Sequence, residues 1–334
     1  AAGLRRRTVD DWTRINRAVP RVVDALPNGP RNFATVQVFL AGAVPEVMLH
    51  LRNAGLLDTS VMTATGATLG DNLDWWEHSE RRRALQQRLL DLNGIQSSDV
   101  IMSPDVARSR GLTATVCFPT GNVAPEGSVI KSTSIDPTLI DADNTYRHRG
   151  PARVFITETA AIAAIKNGTV GHGDVMVLIC GGPLGAGMQE TYQVTSALKT
   201  LPFCKHVAVI TDARFSGVST GACIGHVSPE ALAGGPIGRI LNGDIIEIAV
   251  DRNALHGEVH FLGTDPDNLL TPQEGAAVLA RRSPRPDLAP HPDLPDDTRL
   301  WAALVQASGG VWGGCVYDTP SIVSALATKT TPSS

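Results

Sequence analysis

The sequence lacks any run of eighteen apolar residues, any CxxC pair and any recognisable secretory signal. Because a transmembrane helix needs about 20 apolar residues, the first absence predicts that no segment spans a membrane. An odd number of scattered cysteines argues against a disulfide framework, and apolar runs around several of them predict buried, inert thiols. The five cysteines are Cys117, Cys180, Cys204, Cys223 and Cys315, and the apolar runs TVCF, VLIC and GACIG contain three of them. Together these absences predict a cytoplasmic protein.

An excess of charge is lacking as well. The net charge is −4, and the basic runs at 5–7 and 81–83 are too short for a nucleic-acid footprint, so no nucleic-acid partner is expected. With 43% hydrophobic and 19% charged residues, the composition is that of a globular protein with a sizeable core. A length of 334 residues favours two domains. The chain opens AAGLRRR without a methionine, which suggests a processed chain or a fragment.

Helical patterns dominate the start of the chain and strand-like patterns the remainder. Thr8 with Asp11 resembles a capping box, and SERRRALQQRLLDLNG is typical of a helix that Gly94 ends. From about residue 100, apolar runs between Gly, Pro, Asn and Asp predict strands. They are TATVCF, SVIKST, ARVFIT, DVMVLIC, HVAVIT, DIIEIAV and EVHFLG. A proline-rich connector, RRSPRPDLAPHPDLPDD, and a short helix around TRLWAALVQA follow.

The densest chemical pattern is DVMVLICGGPLGAGMQETYQVTSALK, followed by HVAVITDARFSG. A buried strand enters a glycine-rich turn, a helix is predicted to begin near Gln189, and the next strand ends at Asp212. This order resembles a dinucleotide-binding unit with Asp212 as the ribose acceptor, so a nucleotide-binding module using GGPLGAG is one interpretation. The third glycine position holds Glu190, whose carboxylate disfavours a pyrophosphate and suits a cation. Glu190 is therefore either a helix N-terminal carboxylate or a ligand for a hard cation such as Mg²⁺.

Ser216 lies in a turn of small residues, ARFSGVSTG, directly after a predicted strand. The segment lacks the G-x-S-x-G elbow and no feature pairs Ser216 with a histidine and an acid, so a serine hydrolase is disfavoured. A turn serine that caps backbone groups is the simple alternative. His226 in GHVSPEA is expected to be a structural histidine.

A competing metal hypothesis concerns LHGEVH. On a strand, His256, Glu258 and His260 would share one face and offer ligands for Zn²⁺ or Fe²⁺. Alternating polar residues on the solvated face of a strand are the ordinary explanation.

Several motifs together resemble one enzyme family. GGPLGAGMQE, ITDARFSG and GHVSPEALAGGPIG are similar to segments of the dihydroxy-acid dehydratase and 6-phosphogluconate dehydratase family. TATGATLGDNL, GNVAPEGSVIK and GPARVFITE match in the family's order, so the resemblance covers nearly the whole chain. The forms GMQETYQVTSALK, VSTGACIGHVSPEALAGGPIG and LPDDTRLWAAL are most similar to the bacterial D-xylonate dehydratase branch.

The resemblance implies an α/β fold in which the end of an N-terminal α/β domain precedes a mixed, β-barrel-like C-terminal domain of the swivelling β/β/α type. We expect the first at residues 1–100 and the second, catalytic domain at 101–285. The proline-rich connector and a C-terminal helical tail would occupy 286–334.

The resemblance also implies the removal of water from D-xylonate or a related aldonic acid to give a 2-keto-3-deoxy acid. Mg²⁺ and an iron–sulfur cluster act as Lewis acids in the family. By motif, Glu190 corresponds to a Mg²⁺ ligand and Ser216 to the base that removes the proton alpha to the carboxylate, 26 positions later. Arg214 and Ser219 flank Ser216 and are expected substrate or oxyanion contacts. Because a serine hydroxyl is barely ionised at pH 7, Ser216 would need nearby cationic charge to lower its pKa.

One departure from the family matters. The cluster cysteines, an aspartate and a modified lysine of the family's metal site lie in its N-terminal half, and no segment here matches those motifs. We therefore expect no iron–sulfur ligand in this chain and no activity from the chain in isolation. The full-length protein is expected to be a homo-oligomer, and a folded, non-catalytic barrel fragment is a further alternative.

Overall fold

The computed structural model describes residues 7–19, 21–26, 29–112, 114–217, 219–313 and 315–328. The chain forms two compact units: Arg14–Thr115, and Ala1–Thr13 together with Val116–Ser334. The expected mixed α/β architecture is confirmed, with short helices in the first unit and a closed barrel in the second. None of the described helices has the length and apolar character that crossing a bilayer requires.

Helix α1, Val9–Ala18, begins at the predicted capping box. The Thr8 hydroxyl accepts the amide of Asp11 at 3.2 Å, and the Asp11 carboxylate accepts the amide of Thr8 at 3.0 Å. Each bond satisfies a backbone donor that the start of a helix leaves unpaired. Local sequence therefore sets the start of this helix.

Short helices also make up the unit Arg14–Thr115. Ser79 caps the longest of them, and Gly94 ends it in the left-handed conformation with φ 65°. The helices are α2 Thr35–Leu40, α3 Ala43–Asn53, α4 Leu69–His78, α5 Glu80–Asn93, α6 Ser97–Val100 and α7 Pro104–Ser109.

A buried carboxylate joins three of these helices. Glu46 of α3 accepts a hydrogen bond from the Trp76 indole of α4 at 3.0 Å and from Arg82 of α5 at 2.7 Å. Burial of Glu46 opposes its ionisation, but these donors lower its pKa overall, so the carboxylate stays charged and paired. Leu89 of α5 is fully buried, whereas Leu92 is 64% exposed.

Strands dominate the second unit. They are β1 Val116–Thr120, β2 Gly127–Lys131, β3 Thr145–Phe155, β4 Val175–Leu178, β5 Glu190–Thr191, β6 Ala208–Thr211, β7 Arg214–Phe215, β8 Cys223–Ser228, β9 Ile245–Asp251 and β10 His256–Phe261. Eight of the described strands close into a barrel in the order β1-β10-β9-β3-β4-β6-β8-β2, and β5 pairs with β7 outside it. Every strand run named from the sequence contributes to this barrel. Strand β8 is not among the predicted strands, because Gly225 and His226 interrupt its apolar pattern.

Parallel strands form one side of the barrel. Strand β4 lies parallel to β3 and to β6, and β6 lies parallel to β8. Helix α8, Glu158–Lys166, connects β3 to β4. The connection from β4 to β6 contains α9 Pro183–Ala186 and α10 Gln193–Leu198. Parallel strands joined in this way end at one edge, which is where α/β proteins usually bind ligands.

The C-terminal helices are α11 Pro272–Arg281, α12 Asp296–Ala307 and α13 Thr319–Thr328. The predicted helix around TRLWAALVQA is α12. Between α11 and α12 the proline-rich segment lies against the glycine-rich turn, where the amide of His291 donates to the carbonyl of Gly185 at 2.7 Å. This segment is therefore part of the wall around the turn as well as a connector.

Candidate active site

A two-residue strand carries the candidate metal ligand. Glu190 lies in β5, opposite Arg214 of β7, and Thr191 lies opposite Phe215. The prediction of a helix beginning near Gln189, with Glu190 in its first turn, is wrong, because α10 begins at Gln193. Pairing with β7 holds Glu190 in an extended conformation instead.

Arg214 forms an ion pair with Glu190. Its guanidinium NH1 lies 3.1 Å from Glu190 Oε2, and its Nε donates to the carbonyl of Met188 at 3.1 Å. Both side chains are partly exposed, at 46% for Arg214 and 38% for Glu190. The arginine expected to contact substrate and the carboxylate expected to contact metal are thus side by side.

Glu190 lines a cavity of about 400 Å³ at the edge where the parallel strands end. Glu158, Asp287 and His291 add polar groups to its wall, and Cys180 adds a thiol. Glu158 Oε1 already accepts the amide of Val194 at 2.8 Å. The cavity is large enough for a small polar ligand and offers several oxygen donors.

Ser216 lines a second, smaller cavity of about 160 Å³. Lys131, Ser219, Cys223 and His226 line it as well. Burial lowers the pKa of His226 and raises the pKa of the Cys223 thiol to about 12, so both groups are neutral near pH 7. The structure therefore brings Ser216 and Ser219 into one cavity, with Glu190 and Arg214 on the adjoining ribbon of β5 and β7.

Lys131 is the residue that sequence reasoning missed. Its ammonium donates to the carbonyl of Gly217, directly after Ser216. Burial lowers the pKa of Lys131. The only sequence signal is the final lysine of GNVAPEGSVIK, since 86 residues separate Lys131 from Gly217.

The buried hydroxyl of Ser219 lacks a hydrogen-bond partner among the described residues. Ser219 is 4% exposed, and its Oγ has no hydrogen-bond partner within the part of the chain that the structure describes. Buried hydroxyls are normally paired, so an orphan beside a cavity is an available ligand contact.

The glycine-rich turn is held by two buried carboxyl groups. Asp212, 1% exposed, accepts the amides of Cys180 at 3.2 Å, Gly181 at 2.9 Å and Ala231 at 3.0 Å. Glu230, 5% exposed, accepts the amide of Leu184 at 3.0 Å.

These bonds argue against the nucleotide interpretation. Phosphate sites need free backbone amides at the turn, but here those of Cys180, Gly181 and Leu184 are bonded to protein carboxyl groups. The amides at 185–189 bond to carbonyls of the turn itself. Asp212 is buried and engaged, so it cannot accept a ribose hydroxyl.

Glu190 fits one part of a magnesium site. Mg²⁺ binds through one or two carboxylates completed by water and substrate oxygens, and a partly exposed carboxylate beside an oxygen-lined cavity suits that pattern. No group of three or more His, Cys, Asp or Glu side chains among the described residues is arranged to hold a metal.

The cysteines do not fit an iron–sulfur cluster. Cluster ligands are thiolates, yet burial raises the pKa of Cys117, that of Cys180 to about 11 and that of Cys223 to about 12. The described cysteines also form no ligand group with one another. We therefore derive no chemical step through a cluster.

The histidine hypothesis at LHGEVH is not supported. His256, Glu258 and His260 share the outer face of β10 as expected. His260 Nδ1 accepts the amide of Asn122 at 3.2 Å, and its Nε2 lies 3.4 Å from Glu258. Within the described residues, these side chains do not form a metal-binding group.

Comparison with known proteins agrees with the motifs. Residues 100–272 match the dihydroxy-acid/6-phosphogluconate dehydratase C-terminal family, and residues 2–72 match its N-terminal counterpart. The chain is 60% identical over 326 residues to the D-xylonate dehydratase YagF of Escherichia coli, covering 98% of this chain and 50% of that protein. It is 61% identical to the D-xylonate dehydratase YjhG of the same organism, covering 97% and 50%.

A more distant relative is the dihydroxy-acid dehydratase of Acetivibrio thermocellus, 37% identical over 75% of this chain and 41% of that protein. The chain thus spans about half the length of the D-xylonate dehydratases that it matches. The family matches together cover most of its residues, and the chain belongs to the dihydroxy-acid/6-phosphogluconate dehydratase family.

Proposed function

We propose that this chain supplies the Ser216 and Glu190 side of an aldonic-acid dehydratase site, with D-xylonate as the substrate. One observation carries the proposal: the β5–β7 ribbon joins the Glu190 carboxylate to the segment that ends in Ser216, at the edge where the parallel strands end. The substrate assignment rests on 60% identity to a D-xylonate dehydratase along 98% of the chain.

In the proposed reaction, the Ser216 alkoxide takes the proton from C2 of the 2,3-dihydroxy acid. The electron pair of that C–H bond forms the C2–C3 double bond, the C3–O bond breaks with release of hydroxide, and the hydroxide takes a proton from solvent to leave as water. Ser216 then returns its own proton to solvent, which regenerates the alkoxide. The resulting enol rearranges to the 2-keto-3-deoxy acid. Such a C–H bond is very weakly acidic, so stabilisation of the developing charge must accompany proton removal.

Glu190 would hold Mg²⁺, which when bound supplies positive charge for the substrate carboxylate and 2-hydroxyl. Arg214 pairs with Glu190 in the absence of metal and would meet the substrate carboxylate once Mg²⁺ takes the Glu190 carboxylate. Ser219 would donate its unpaired hydroxyl to a substrate oxygen. Each of these groups therefore acts on charge or orientation while Ser216 moves the proton.

The free thiols of this chain are consistent with a reducing compartment. Cys117, Cys180, Cys204, Cys223 and Cys315 are all free in the structure. Because disulfides are rare in the cytosol, these free thiols support the proposal that the reaction takes place in the cytoplasm.

The decisive experiment uses the complete enzyme that contains this chain. D-xylonate is supplied, and formation of the 2-keto acid is followed by absorbance of its semicarbazone. We expect Ser216→Ala to lower kcat by about 10²–10⁴-fold, the usual contribution of a positioned proton-transfer group. Ser109→Ala, at an exposed helix end, is the matched control and should keep wild-type turnover.

Two results would contradict the proposal. Near wild-type turnover of Ser216→Ala would remove Ser216 as the base. A complete enzyme that dehydrates neither D-xylonate nor other aldonic acids such as D-gluconate would favour a non-catalytic barrel.

A further inference from the structure

We propose that Lys131 is the positioning residue for Ser216: its ammonium fixes the Ser216 loop and stabilises the Ser216 alkoxide. The Ser216 loop is defined here as residues 216–217 and 219–221. This inference rests on the proposed function, because it explains how a serine hydroxyl becomes a base there.

Two strands bring the groups together. Lys131 is the last residue of β2, and Ser216 directly follows β7. Both side chains line the same cavity of about 160 Å³. The ammonium of Lys131 donates to the carbonyl of Gly217, so its charge lies against the backbone of the residue that directly follows the candidate base.

The far end of the loop is anchored to the same segment. The Ser134 hydroxyl donates to the carbonyl of Gly221 at 2.9 Å, and the amide of Gly221 donates to the carbonyl of Ser134 at 2.8 Å. The end of β2 and the turn after it therefore hold the Ser216 loop at both ends.

Charge around the cavity makes Lys131 the cation available to Ser216. Arg214 pairs with Glu190 at 3.1 Å and is not among the described residues that line the Ser216 cavity. Lys131 forms no ion pair with any carboxylate in the described part of the chain. The titratable neighbours that line the cavity, Cys223 and His226, are neutral near pH 7 and do not compete for its charge.

A cation beside an oxygen acid favours its ionised form. One within about 4–6 Å lowers the pKa of the acid by about 1 to 3, which raises the alkoxide fraction roughly 10- to 1000-fold at a given pH. The proton of Ser216 leaves to solvent before the substrate proton is taken, and Lys131 remains an ammonium throughout. Lys131 thus acts through Ser216 and exchanges no proton with the substrate.

Three substitutions separate the charge from the hydrogen bond. Lys131→Gln keeps an N–H donor for the Gly217 carbonyl and loses the charge, Lys131→Met loses both, and Lys131→Arg keeps both. In the complete enzyme we expect Gln and Met to lower kcat about 10- to 1000-fold with little change in KM. Arg should restore kcat to within about tenfold of wild type. Thermal midpoints of all three variants test whether each protein is folded.

The pH profile provides a readout that a purely structural lysine would not move. Deprotonation of Lys131 should end activity on the alkaline side, so Lys131→Arg should shift that limb of kcat to higher pH. The inference is overturned if folded Lys131→Gln keeps wild-type kcat, or if the alkaline limb of Lys131→Arg stays in place. Either result would contradict only the role of Lys131, because the proposed function would still be supported by an active wild type and an inactive Ser216→Ala variant. An inactive wild type would contradict both the proposed function and this inference.

Discussion

The Arg214 guanidinium and the Glu190 carboxylate lie 3.1 Å apart across the paired strands β5 and β7. A metal ion at Glu190 must therefore share the carboxylate with Arg214 or displace it. Both side chains are partly exposed to solvent, and surface ion pairs are worth only about 0.2–1 kcal/mol. The pair is consequently weak enough to rearrange when a divalent cation and an anionic substrate bind.

This competition makes a prediction for metal affinity. Removing the cation with Arg214→Met should tighten Mg²⁺ binding by up to about fivefold, the equivalent of a lost ion pair of 1 kcal/mol or less. Glu190→Gln should weaken it by more than about tenfold, since a neutral amide is a poor Mg²⁺ ligand. Calorimetric titration with Mg²⁺ measures both effects.

The matched control is Arg147→Met. Arg147 pairs with Asp141 at 2.6 Å on an exposed surface away from both cavities, so its loss should leave Mg²⁺ affinity unchanged. Equal affinities in wild type and Glu190→Gln would show that Mg²⁺ binds elsewhere.

The orphan hydroxyl of Ser219 yields a second prediction, in which stability and substrate affinity respond differently. Ser219→Ala removes a buried donor that pairs with nothing described, so the free energy of unfolding should stay constant or rise by about 1 kcal/mol. If the hydroxyl binds substrate, KM should rise about 5- to 50-fold. Denaturant unfolding and steady-state kinetics give the two quantities.

Ser128 offers the contrasting serine. It is also fully buried, but its hydroxyl donates to the carbonyl of Pro119 at 2.8 Å. Ser128→Ala should therefore lower the free energy of unfolding by about 1–3 kcal/mol. If Ser219→Ala destabilises the protein to the same extent and leaves KM unchanged, its role is structural.

Features set by neighbours in sequence were predictable. The capping box at Thr8 and Asp11 and the end of α5 at Gly94 depend on residues within one helical turn. The strands of the barrel were visible because each is a compact apolar run bounded by turn residues. Strand β8 is the exception, since Gly225 and His226 dilute its pattern and its place depends on pairing with β2 and β6.

Features set by distant partners were not predictable from local pattern. Glu190 precedes a helical pattern, and only β7, 24 residues away in sequence, draws it into a strand. Nothing near Asp212 indicates that its carboxylate bonds the amide of Cys180, 32 residues earlier. The sequence around Lys131 does not indicate its contact with Gly217 either, because that contact depends on barrel closure.

A third prediction concerns the turn that carries GGPLGAG. A methyl group on Gly185 would overlap the backbone carbonyl of Cys180, a buried residue two positions after the end of β4. Gly185→Ala should therefore lower the free energy of unfolding by about 1–3 kcal/mol or more. Denaturant midpoints measured on the same preparation report the change.

Gly217 is the matched glycine. A methyl group there would meet no described atom within 4 Å, so Gly217→Ala should change the free energy of unfolding by no more than about 0.5–1 kcal/mol. Comparable stability of the two variants would mean that the turn is not packed against Cys180 in solution.

The last prediction is the pH dependence of stability that Glu230 confers. Burial, with a smaller contribution from Asp212, raises the pKa of Glu230 from 4.5 to about 7, although the amide of Leu184 opposes the rise. Folding therefore favours the protonated acid. The stability from this preference is complete below pH 4.5 and is lost as the pH rises through 7, a loss of about 2–3 kcal/mol between pH 5 and pH 8. Glu230→Gln carries no titrating proton, so its stability relative to wild type should increase by that amount over the same range. Unfolding measured at several pH values gives the difference directly.

Glu274→Gln serves as the control, because hydrogen bonds from Thr271 lower the pKa of Glu274 and place its titration below this pH range. A wild-type slope retained in Glu230→Gln would show that Glu230 does not titrate between pH 5 and pH 8 and that another group sets the slope.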